Sequence, residues 1–192
     1  MIRKEDIITA SMEIVRADGP EALNARAVAK ALGCSTQPLF SNFRNMQDLM
    51  DSVVKRSLEV YDDFIRQEFG RSRDFPPYKT HGMGYIRFAM EEKNLFRLLF
   101  MRDRHDEASP AEEKTFYEVI PFIMKALDLT EEQALRFHME MWTFVHGIAT
   151  MAATSYYRWD MEQASNALTD IYQGLILRSG QKNMEAENEE RH

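Results

Sequence analysis

Cysteine is almost absent from this chain. The single one, Cys34 among 192 residues, excludes an internal disulfide and a zinc site built from cysteines. No apolar run approaches the roughly 18 residues that a membrane span needs. The opening stretch MIRKEDIITASMEIV has two basic residues, but acids and polar residues interrupt its apolar part. It lacks the apolar centre of a signal peptide, so a cytoplasmic chain is expected. Period-two alternation is scarce and no internal repeat is visible. What is present is helical spacing of apolar residues throughout, which predicts an all-α fold. With 44% hydrophobic and 29% charged residues the composition is that of a globular protein. The length suits one ordinary domain, or a small module joined to a larger one.

Net charge is −7, but it is unevenly spread. Residues 1–57 hold eight Lys/Arg and seven Asp/Glu, a surplus of one base, which leaves −8 for the rest. The net acidity therefore lies outside residues 1–57, where a nucleic-acid contact is permitted.

Ile7, Ser11, Ile14 and Val15 share one helical face, and Gly19-Pro20 ends that helix. Asn24 is suited to cap a second helix, with Val28, Ala29 and Leu32 facing inward. Gly33 fits the left-handed residue that closes it. Ser35 is expected to cap a short third helix, making Thr36, Gln37 and Pro38 its first three residues. A proline there removes no intrahelical hydrogen bond, because the first N–H groups of a helix have no partner. A longer helix starts near Met46, with Leu49, Met50, Val53, Ser57, Val60, Tyr61 and Phe64 as its apolar stripe. It ends in GRSRDFPPY, residues 70–78. Further helices are expected at about 77–92, 94–103, 112–127, 130–157 and 160–179, with Pro121 kinking or restarting its helix. The polar tail from Gln181 is expected to be disordered.

These residues carry a resemblance. IITASMEIVRADGPEALNARAVAKALGCSTQPLFSNFRNMQDLM, residues 7–50, resembles the DNA-binding domain of TetR-family transcriptional regulators. Gly19, Leu23, Asn24, Arg26, Val28, Ala29, Gly33, Cys34, Ser35, Leu39, Phe40, Phe43, Asp48 and Leu49 match the family pattern without a gap. Three positions depart from it. Phe40 stands where the family usually has tyrosine, Met46 where lysine is frequent, and Gln37 where a small residue is common. The first two remove phosphate contacts; the third adds an amide that can pair with adenine N6 and N7.

The resemblance implies about nine helices: a three-helix helix-turn-helix domain over residues 1–48, with its motif at about 24–43, and a helical effector-binding and dimerisation domain over 49–180. Residues 181–192 would be the tail. It implies that Ser35, Thr36, Gln37 and Pro38 open the helix that enters the major groove, with Thr36, Gln37 and Pro38 facing base edges. Phe40, Ser41, Asn42 and Arg44 would lie near the DNA backbone, and Asn24 and Arg26 would hold phosphate. Lys4 is a further candidate. Cys34 and Leu32, with Val28, Leu39 and Phe43, would fill the core.

Helices at about 130–157 and 160–179 would pair with those of a second copy, giving a homodimer whose reading helices meet major grooves about 34 Å apart. Trp142-x-x-x-His146-Gly147 resembles a Trp-His-Gly subgroup of the family's C-terminal domains. The same resemblance makes Phe96 to Met101 the short helix that connects effector and DNA sites. Candidate effector contacts are Tyr85, Phe88, Phe100, Phe122, Trp142 and His146, in a body rich in the chain's 13 Met. The function implied is a ligand-responsive regulator of transcription: a repressor that an apolar or aromatic effector releases from a palindromic double-stranded operator.

No cofactor or metal is expected. His138 and His146 stand about 12 Å apart along one helix, too far to share an ion. A helical enzyme such as a ferritin-like oxidase needs inward Glu and Glu-x-x-His pairs that are missing here. A small-molecule carrier or partner-binding protein with a decayed DNA module is the alternative.

Overall fold

The computed structural model describes residues 2–71, 75–102 and 118–189, with side chains through residue 178. Among these residues there are nine α-helices, one 3-10 turn and no strand. The helices are α1 (Lys4–Asp18), α2 (Ala25–Ala31), α3 (Gln37–Asn42), α4 (Met46–Arg71), α5 (Pro77–Glu91), α6 (Lys93–Phe100), α7 (Ile120–Leu127), α8 (Glu131–Ala153) and α9 (Met161–Glu189); the 3-10 turn is Pro20–Ala22. Two compact units result. One holds residues 1–102 with 149–158, the other 103–148 with 159–192.

In the first unit α1 is the hub, touching the 3-10 turn, α2, α3, α4 and α6. Its buried face is Ile7, Ile8, Ser11, Met12 and Val15. Ser11 sits there because its hydroxyl donates to the Ile7 carbonyl at 2.8 Å. Gly19, at φ 90°, turns the chain into the 3-10 segment. Asn24 caps α2 as expected, its carboxamide oxygen accepting the Ala27 N–H at 3.0 Å. Gly33, at φ 63°, closes α2 while Cys34 N–H reaches back to the Ala29 carbonyl at 3.0 Å. Val28, Leu39 and Phe43 are buried; Leu32 and Cys34 are only partly so.

The third helix begins one residue later than its sequence suggests. Thr36 occupies the cap position and Pro38 is the second helical residue. Thr36 is already helical at φ −75°, ψ −9°, and no side chain caps the helix. The proline still falls in the first turn, where its missing N–H costs no helical bond.

α4 starts on Asn45, whose side chain accepts the Asp48 N–H at 2.9 Å. It runs unbroken through the expected junction at 48/49 and packs along α5. Gly84 allows that close contact: a Cβ there would stand 2.9 Å from Ile65 Cδ1 and 3.3 Å from the Ile65 Cα. Beside it lies the buried carboxylate of Glu68, which accepts a hydrogen bond from Arg87 Nε at 2.6 Å.

In the second unit Pro121 marks a restart, since α7 begins at Ile120; the earlier part of the helix expected over 112–127 lies largely outside the described residues. The two long helices both start with reciprocal capping pairs. Gln133 N–H donates to Thr130 Oγ1 at 3.3 Å while Thr130 N–H donates to Gln133 Oε1 at 2.9 Å. Asp160 and Gln163 repeat the arrangement at 2.7 and 3.1 Å. α8 stops at Ala153, short of the expected 157, because the chain turns through Ser155 at φ 57°. α9 passes the expected end at 179 and the predicted start of a disordered tail at 181, reaching Glu189. Its last stretch, QKNMEAENE, has neither Gly nor Pro and is dominated by good helix formers. Residues 190–192 lie outside the described residues.

Candidate nucleic-acid interface and effector site

The outer face of α3 carries Gln37, Phe40 and Ser41, all exposed, while Leu39 and Phe43 anchor its inner face. Ser41 Oγ donates back to the Gln37 carbonyl at 3.0 Å, and Asn42 Nδ2 to the Pro38 carbonyl at 2.8 Å. Gln37 and Thr36 make no side-chain hydrogen bond among the described residues. Ser35 is exposed and does not cap the helix.

Exposed cations stand on the segments before and after α3. Arg26 and Lys30 are exposed on α2 and form no ion pair among the described residues. Arg44, with 87% of its side chain exposed, pairs with Asp48 at 3.4 Å. The backbone N–H of Arg44 lowers the Asp48 carboxyl below its ordinary range; desolvation opposes this and the Arg44 side chain adds to it. Lys4 Nζ lies 4.8 Å from the centre of the Phe43 ring, which ties the start of α1 to the end of α3.

Three expected effector residues come together in the same unit. Tyr85, Phe88 and Phe100 belong to a cluster of six rings with Tyr61, Phe64 and Phe96. The Tyr61 ring lies 6.0, 5.4 and 5.4 Å from Tyr85, Phe88 and Phe100. Phe96 and Phe100 are 5.2 Å apart, and Phe64 meets Phe88 at 5.4 Å. Most of the pairs are edge-on or tilted, the favoured arrangement for aromatic quadrupoles. Tyr61, Phe64 and Phe96 were legible as apolar positions, but nothing in their spacing showed that rings from α4, α5 and α6 converge.

The other three lie in the second unit. Phe122 is 72% exposed on α7. The Trp142 indole stacks on the His146 imidazole, with centres 5.1 Å apart and planes 6° apart, as their i, i+4 spacing on α8 allows. Trp142 remains 44% exposed.

The cluster is linked to α1 and the 3-10 turn through α6. While Phe96 and Phe100 join the rings, polar residues of the same helix grip α1 and the 3-10 turn that follows it. Asn94 Nδ2 donates to the Arg16 carbonyl at 2.8 Å, and Arg97 donates to Glu21 at 3.0 Å. Arg16 in turn pairs with Glu92, just before α6, at 3.0 Å. Gly19 lies inside this corner: a Cβ there would meet Glu21 Oε2 at 3.0 Å and Arg97 at 3.4 Å.

Known proteins place this helical body. Residues 79–172 match the family model described as the tetracyclin repressor-like C-terminal domain. This segment is a TetR-family C-terminal domain. The whole chain is also similar to the solved structure of a protein with unknown function from Rhodococcus sp. RHA1. The two share 20% identity and a TM-score of 0.70, over 90% of this chain and 95% of that one, a likeness of fold. No curated protein matches the chain. The TetR-family assignment and the all-helical architecture support regulation of transcription and DNA binding in general. Among the described residues no three His, Cys, Asp or Glu stand together as a metal site. No helix there is long and apolar enough to cross a membrane.

Proposed function

We propose that this chain is a homodimeric, ligand-responsive repressor. Residues 1–48 would read a palindromic operator, and 49–180 would bind the effector and a second copy. α4 spans the junction and connects the two parts. The observation that carries the reading is the double attachment of α6. Its rings join the aromatic cluster, and its polar face grips the corner between α1 and the 3-10 turn.

An apolar or aromatic effector would take over ring contacts now made by Phe96 and Phe100. That would move α6 and, through Asn94 and Arg97, shift α1 and α3. The effector then favours one arrangement of the reading helices and operator DNA the other, so the coupling is reciprocal. The exposed apolar residues Met139, Trp142 and Met151 on α8 and Leu177 on α9 suit burial against a second copy. The resemblance of Trp142, His146 and Gly147 to the Trp-His-Gly subgroup belongs to the same proposal.

The test is selection of the full chain against random double-stranded DNA at about physiological salt. Enrichment of a two-fold symmetric site supports the reading. Repeated failure by a folded dimer stripped of small molecules rejects it.

A further inference from the structure

We propose that Phe40 determines operator sequence by packing on the C5-methyl group of thymine, beside an adenine held by Gln37. This rests on the DNA-binding reading above and adds the chemistry of the base step.

α3 spends its short polar side chains on itself. The Ser41 hydroxyl and the Asn42 amide donate to carbonyls one turn back, at 3.0 and 2.8 Å. That leaves Gln37 as the exposed polar side chain on the outer face without an internal hydrogen bond. Three residues on, and so on the same face, stands Phe40. Its ring is 50% exposed, whereas Leu39 and Phe43 are buried and already meet the packing needs of the helix. Phe40 has no hydroxyl to offer a phosphate. An exposed ring next to a free carboxamide is a poor match for a phosphate strand. It is a good match for the floor of a major groove.

Arg26 and Lys30, exposed on α2, and Arg44, two residues beyond α3, supply positive charge suited to a polyanion. In the major groove the methyl of thymine is the apolar group, and adenine N6–N7 is the edge that a carboxamide pairs with in two hydrogen bonds. A Gln37–Phe40 pair on one helical face therefore fits an adenine and a neighbouring thymine methyl in each half-site.

The test compares duplexes carrying thymidine with the same duplexes carrying deoxyuridine, which lacks only the methyl group. The duplex is the site enriched by the full chain from a random thymidine library. Losing one buried methyl weakens binding about 4-fold, so a dimer reading one in each half-site loses about 15-fold. Phe40→Ala should bind both duplexes alike, near the wild-type affinity for the deoxyuridine form. Gln37→Ala should weaken binding yet keep the thymidine preference. Equal wild-type affinity for the two duplexes overturns the methyl contact while leaving the DNA-reading function intact. If the thymidine library yields no enriched site, the DNA-reading function fails and the methyl contact with it.

Discussion

The two ends of the first unit are held together by different chemistry. The α1–α3 end uses small aliphatic side chains and backbone closures: Asn24 on α2, Gly33 after it, and Ser11 bonded to its own helix. The α4–α6 end uses six aromatic rings and a buried ion pair, Glu68–Arg87. Local closures fix a shape whatever the rest of the molecule does. Rings in edge contact hold a shape only while each has its neighbours, and another apolar surface can replace a neighbour. Under the proposed function, the first end presents a fixed surface and the second accommodates a guest.

That contrast predicts graded effects. Phe88→Ala should be the most damaging, since its fully buried ring touches four others; a loss of about 4 kcal/mol is expected in urea denaturation. A loss under 1 kcal/mol would mean the ring cluster contributes little to the fold. Gly84→Ala should follow, at about 2 kcal/mol, because its methyl would press on the α4 backbone at Ile65. Asn24→Ala should cost about 1 kcal/mol by removing the α2 cap.

Acid should act on the second end. Burial pushes the His81 imidazole down, with Asp62 opposing. Around its ordinary value of 6.5 the folded chain then holds fewer protons at this site than the unfolded chain. The stability it contributes is full above that pH and is lost as pH falls below it. His81→Gln should narrow the gap between urea midpoints at pH 7.5 and 5.5. An unchanged gap would remove His81 from the account. The smallest stability change should come from Arg97→Ala, under about 1 kcal/mol because its pair with Glu21 is largely exposed. Its effect should appear instead in the response of DNA affinity to an apolar ligand.

The sequence was most legible where structure is decided locally. Asn24, Gly33 and the Gly19 turn were placed correctly because caps and left-handed glycines have strong side-chain preferences. The start of α3 was missed by one residue because Ser35 and Thr36 are both plausible caps and neither bonds. The end of α8 was hidden because no Gly or Pro marks the turn at Ser155. The candidate site divides in the same way. Tyr85, Phe88 and Phe100 converge, yet their partners Tyr61 and Phe64 come from α4 and Phe96 from α6, and the meeting of these helices with α5 is a tertiary fact. The grip of Asn94 on α1 and of Arg97 on the 3-10 turn spans more than 70 positions, beyond the reach of any periodicity.

The central claim is that the ring cluster and the DNA-facing helices are coupled through α6. It is tested most directly by titrating the full chain with the apolar fluorophore 1-anilinonaphthalene-8-sulfonate, with and without its selected duplex. The account predicts that the dye weakens duplex binding, that the duplex weakens dye binding by the same factor, about 5- to 150-fold, and that Arg97→Ala shrinks both together. Tight duplex binding with a dye affinity that the duplex leaves unchanged would contradict it.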